Sequence, residues 1–78
     1  MIRVLLFAEL EERLGTRELE LREGKTSVGS LRLKLAQTHS ELEGIEHAMA
    51  AVNEEYAEDT TSVRDGDTVA FIPPVSGG

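Results

Sequence analysis

The chain has 78 residues, 40% hydrophobic and 29% charged, which is enough for one small core and excludes both a disordered chain and a second domain. Eight Lys plus Arg stand against fifteen Asp plus Glu, a net charge of −7, so a phosphate-tracking nucleic-acid binder or a binder of anionic membrane is excluded and a neutral or basic protein partner is expected. The absence of Cys removes disulfides, thiolate zinc sites, iron–sulfur clusters and a thiol nucleophile together, and three aromatics, Phe7, Tyr56 and Phe71, are too few for a base-stacking platform.

Ile2 to Ala8 reads as a strand. One parity, Ile2, Val4, Leu6 and Ala8, is purely apolar and predicts the core face. The other holds Met1, Arg3, Leu5 and Phe7, an outward face with more apolar weight than ordinary solvent surface. The apolar run is shorter than a signal-peptide core and meets Glu9, Glu11 and Glu12 at once. No run approaches the roughly 20 apolar residues of a membrane span, so a cytoplasmic location is expected. Ala8 to Leu14 predicts a short helix ended by Gly15. Leu19 and Leu21 alternate with Glu18, Glu20 and Arg22 in a half-buried strand, and Glu23-Gly24-Lys25 turns the chain.

Thr26 or Ser27 caps a second helix that starts near Val28 and ends near His39. Val28, Leu31, Leu35 and Thr38 define its apolar face, with Leu33 and Ala36 widening or flanking it. Ser40 to Glu46 reads as an acidic connection. Met49 to Asn53 predicts a strand, Asn53-Glu54-Glu55 a turn, and Tyr56 the centre of a short strand. Asp59 to Arg64 reads as polar connection, and Arg64-Asp65-Gly66-Asp67 as a turn. Thr68 to Ile72 is the last strand, stopped by Pro73-Pro74. One helix over a mixed sheet of four or five strands is the economical α+β architecture. With the first strand hairpinned to the second and parallel to the last, it is the ubiquitin-like β-grasp. The division expected is a β-grasp domain over 1–73 and a flexible Gly-Gly tail over 74–78.

The side chains carry no autonomous active site. His39 and His47 stand without companion ligands, and Glu54, Glu55, Glu58 and Asp59 read as a solvated turn. Ser76 has no neighbouring base, and no Gly-rich segment opens a helix to cradle phosphate. The chain's end is different. Pro73-Pro74 fixes an exit direction, and Val75-Ser76-Gly77-Gly78 narrows to bare backbone that threads a tunnel too tight for a Cβ. It presents one reactive group, the Gly78 carboxylate. A carboxylate on a thin tether suits attack on the α-phosphate of ATP in another protein's site, giving an acyl adenylate open to a sulfur or nitrogen nucleophile.

Asn53, the Asp65-Gly66-Asp67 turn, Thr68 to Ile72 and Pro73-Pro74-Val75-Ser76-Gly77-Gly78 resemble the small subunits of molybdopterin synthase. Ile2-Arg3-Val4-Leu5-Leu6-Phe7-Ala8 and Leu14-Gly15 resemble the same family, so the likeness spans essentially the whole chain. Gly29 and Ser30 depart from it, opening the helix without an acidic first turn. The resemblance implies that Gly78 is adenylated by an adenylyltransferase related to the ubiquitin-activating enzymes, with Gly77 threading the tail. A sulfur donor system then converts it to a thiocarboxylate. The loaded tail enters the large synthase subunit and gives sulfur to cyclic pyranopterin monophosphate. The resemblance also implies two large and two small subunits in the complex, no cofactor bound to this chain, and ATP used only by the activating enzyme. Phe7, Tyr56, Ile72, Pro73, Pro74, Val75 and Ser76 are the partner-binding residues expected, with Leu5 and Ala70 sharing their outward parity, and Phe71 is assigned to the core. A carrier for thiamine or another sulfur product, a ubiquitin-like modifier of lysines, and a binding module with an inert tail are the alternatives.

Overall fold

The computed structural model describes residues 1–74. Strand β1 (Ile2–Leu6) buries Ile2, Val4 and Leu6 completely, as the alternation requires, and leaves Arg3 exposed and Leu5 half-buried. Helix α1 (Ala8–Leu14) follows and ends at Gly15, whose φ of 85° closes the helix by a bond from its N–H to the Glu11 carbonyl. Strand β2 (Glu18–Leu21) returns antiparallel to β1, with Val4 opposite Leu19. A three-residue strand, β3 (Lys25–Ser27), leads into helix α2 (Val28–Thr38). A 3₁₀ turn (Ile45–His47) precedes β4 (Met49–Val52), β5 (Glu55–Ala57), β6 (Ser62–Arg64) and β7 (Thr68–Ile72).

The main sheet runs β2-β1-β7-β4-β5, and β3 pairs with β6 in a separate ribbon. β7 lies parallel to β1, with Val4 opposite Val69 and Leu6 opposite Phe71, and antiparallel to β4. Val28, Leu31 and Leu35 of α2 join the inward residues of β1 and β7 in one core cluster, in which Phe71 is fully buried. Burying each such side chain contributes roughly 1.5–3 kcal/mol. This is the ubiquitin-like β-grasp expected from the sequence, with β7 central in its sheet and running straight into Pro73.

Ser27 caps α2 by accepting the Ser30 N–H at 3.2 Å. The next free donors are spent on a crossing loop: Val28 N–H bonds the Thr61 carbonyl and Gly29 N–H the Asp59 carbonyl, both at 3.0 Å. A Cβ on Gly29 would lie 3.1 Å from the Asp59 Cβ, which accounts for glycine in the first turn despite its poor helix propensity.

Several elements differ from the sequence expectation. Lys25–Ser27 and Ser62–Arg64 are strands rather than turn and connection; each is short and polar, and only Val63 points into the core. Thr38, Leu33 and Ala36 are exposed, so the apolar stripe of α2 stops at Leu35. The acidic connection after α2 supplies what they do not, because Leu42 and Ile45 are buried and complete the core beyond the helix end. Arg32 ties that segment to α2. Its guanidinium donates to the Ile45 and Ala48 carbonyls at 2.7 and 2.6 Å, pairs with Asp59, and lies 5.4 Å from the Phe71 ring centroid.

Candidate functional site

The outward face of the sheet is set by register. Leu5 of β1, Ala70 of β7, Ala51 of β4 and Tyr56 of β5 stand opposite one another in a row across four strands. Two alanines in the middle and two large side chains at the ends make a trough instead of a flat surface. Phe7 and Ile72 continue it toward the tail, and Asn53, Glu54 and Thr68 close the other end, around a cavity of about 360 Å³. Phe7 is 39% exposed and Tyr56 75% exposed, an apolar investment that an isolated chain does not need. The trough therefore brings together Phe7, Tyr56 and Ile72 with Leu5 and Ala70. Sequence parity missed Ala51 and the hairpin tip. The signal available was the pair of small residues on neighbouring strands, which marks a floor.

The hairpin wall is unusually fastened. Asn53 and Glu54 form the two-residue turn between β4 and β5 with φ of 50° and 73°, the double left-handed pattern that suits the twist of a tight hairpin. Asn53 N–H donates to the Thr68 carbonyl at 2.8 Å, its Oδ1 accepts the Thr68 N–H at 3.0 Å, and its Nδ2 donates to Asp67 Oδ1 at 3.1 Å. The other Asp67 oxygen accepts the Arg64 N–H at 2.8 Å. That backbone bond first, and the Asn53 amide second, hold the Asp67 carboxyl below the usual carboxylate value.

Pro73 and Pro74 lie at the root of the tail beside a second, open cleft of about 550 Å³ with Glu9, Leu10, Arg13, Glu43, Gly44 and His47. Its charges are largely spent internally: Arg13 donates to the Glu43 carbonyl at 2.9 Å and approaches Glu9 at 3.9 Å. His39 and His47 belong to no cluster, and among the described residues no three His, Cys, Asp or Glu gather as metal ligands. Asp59 is occupied by Arg32, whereas Glu54, Glu55 and Glu58 are exposed. No helix among the described residues is long and apolar enough to cross a membrane. Val75, Ser76, Gly77 and Gly78, where the chemistry was expected, lie outside the described residues.

Comparison with known proteins agrees with this geometry. The sequence profile of the ThiS family matches residues 4–78. The chain is 38% identical over 81 residues to the molybdopterin synthase sulfur carrier subunit of Escherichia coli strain K12, covering all of both proteins. It is 39% identical over 80 residues to the subunit of the same name from Arabidopsis thaliana, covering 99% of this chain and 82% of that one. Among solved structures, SAMP1 from Haloferax volcanii, a small archaeal modifier protein, superposes with a TM-score of 0.78 at 31% identity over 99% of this chain and 98% of that one. Matched by the profile over residues 4–78 and by relatives over the whole length, the chain belongs to the ThiS family, alongside the molybdopterin synthase sulfur carrier subunits.

Proposed function

We propose that this chain is the sulfur-carrying small subunit of a molybdopterin synthase. The observation that carries the reading is the end-to-end likeness to subunits of that name, with the Gly-Gly terminus inside the matched span. Three features support it. The chain has no Cys, so a carried sulfur belongs on the backbone carboxylate. The strand that leads into Pro73 is the central one of its sheet, so Pro73 follows directly on a strand paired on both sides. The apolar trough runs along that strand toward the same end, through Ala70 and Ile72.

In this reading the Gly78 carboxylate attacks the α-phosphate of ATP in an adenylyltransferase, releasing pyrophosphate. Sulfide released by a sulfur donor then attacks the acyl carbon, the new C–S bond displaces AMP, and a thiocarboxylate is left. The trough docks the large subunit, with Phe7, Tyr56 and Ile72 as anchors. Pro73, Pro74, Val75, Ser76 and Gly77 guide the terminus into the large subunit's pocket, where sulfur passes to cyclic pyranopterin monophosphate. This chain contributes recognition and the terminal atom; the catalytic pocket belongs to the large subunit.

The test is the intact mass of the chain after incubation with ATP, its activating enzyme and a sulfur source. Replacement of one oxygen by sulfur, mapped to Gly78, is expected, and removing Gly78 should abolish it completely. Persistent absence of the mass change in the wild-type chain overturns the reading. The likeness to SAMP1 favours a second reading, attachment to lysines of other proteins. Conjugates of high mass that disappear on Gly78 deletion would support it.

A further inference from the structure

We infer that Asn53 is a positioning residue for partner recognition: it clasps the β4–β5 hairpin to the β6–β7 turn and so fixes the Glu54 and Tyr56 wall of the trough. The inference rests on the docking role proposed for that trough.

The geometry goes beyond what a turn needs. At the Val52–Val69 pair the β4–β7 ladder is regular. One residue later Asn53 has turned to positive φ, and the Thr68 N–H goes to its side chain. The side-chain carbonyl takes over: Asn53 N–H donates to the Thr68 carbonyl while Asn53 Oδ1 accepts the Thr68 N–H. This reproduces the exchanged pair of an antiparallel ladder with an amide side chain in place of backbone. The remaining donor, Nδ2, reaches Asp67, whose second oxygen holds the Arg64 N–H. Three hydrogen bonds thus join two turns that the chain order separates.

The strand that benefits is lightly held. β5 has three residues, lies at the sheet edge and, among the described residues, pairs only with β4. Glu54 and Tyr56 are both exposed, so packing does not fix them either. A partner that docks against this wall needs it in one place. If releasing the clasp leaves the docking position populated about one tenth of the time, apparent affinity falls about tenfold.

A plain turn former makes a different prediction. Asn53→Gly adopts positive φ without strain and removes only the two side-chain bonds of the clasp, leaving the backbone bond to the Thr68 carbonyl. Asn53→Asp keeps the acceptor for Thr68 but sets a carboxylate against Asp67, whereas N53D/D67N restores a donor and acceptor between the two positions with polarity reversed.

The experiment is titration of the molybdopterin synthase large subunit from the same source into the full chain, at a temperature where melting curves show every variant folded. N53G and N53D should each bind about tenfold more weakly, and N53D/D67N should recover to within about threefold of wild type. Because Asn53 acts through the wall, N53G combined with Y56A should bind no worse than Y56A alone. Protection of the Ala57 amide, which lies in the hydrogen-bonded pair with Ala50, should fall in N53G while that of Val4 stays high, and this reads the clasp without any partner. A folded N53G that binds like wild type with Ala57 protected overturns the inference, as does failure of the double variant to recover. Wild-type chain that does not bind the large subunit overturns the docking reading itself and the inference with it.

Discussion

Asp67 shows how a surface carboxylate is put to work. Sequence reading identified its turn through Gly66, whose φ of 95° suits glycine, and through the local hydrogen bonding of Asp. It did not identify the bond from Asn53, because nothing in the string brings the two turns together. The ionised carboxylate accepts the Arg64 N–H and the Asn53 amide, so its folded pKa lies below the ordinary value. The sign follows directly. Above the unfolded value the charge is retained in both states and the bonds contribute stability in full. As pH falls from about 5 through the lowered folded value, the folded state resists protonation more than the unfolded chain does, and that contribution is lost. Denaturant unfolding across this range should therefore show a steeper acid decline for wild type than for Asp67→Asn. Parallel declines would remove Asp67 from the acid response.

At the level of elements, legibility followed periodicity. β1 has one purely apolar parity, β7 is an apolar run stopped by Pro73-Pro74, α2 opens on a capping Ser with Val28, Leu31 and Leu35 at helical spacing, and Gly15 ends α1, so all four were readable. β3 and β6 were not, since each is three mostly polar residues and exists only because the other is beside it. The segment after α2 hid its role for a related reason: Leu42 and Ile45 have no period, and Arg32 on α2 holds their backbone from a distance. Leu33 misled in the opposite direction, being an apolar residue inside a helix that faces water. The contrast is measurable. Ile45→Ala should cost about 2–4 kcal/mol in urea unfolding, the range for truncating a closed core, although the residue lies in what reads as a loop. Leu33→Ala should stay within about 0.5 kcal/mol. Equal costs at the two positions would mean that the core does not close over the end of α2.

For the whole molecule, the order of strands decides what is presented where. The topology was legible because strand order and an apolar central strand leave few alternatives, and the parity of β1 and β7 located one wall of the trough. Its floor was not legible: Ala51 and Ala70 mean little until register sets them side by side between Leu5 and Tyr56. That floor separates two ways a trough can dock. If apolar area alone drives association, Ala70→Leu adds area and holds or raises affinity. If the partner inserts a side chain between the walls, the same change fills the space it needs. Ala70 is half-buried and faces outward, so a larger aliphatic group projects into the open trough without entering the core. Leucine on a strand costs the fold little, and the melting temperature should hold. The shape of the trough favours insertion, and Ala70→Leu should weaken large-subunit binding at least about tenfold, or about 1.4 kcal/mol. Adenylation of Gly78 serves as the internal control. Retained adenylation with lost docking would assign the floor to the large subunit, whereas equal loss of both would make the trough a surface that two successive partners share.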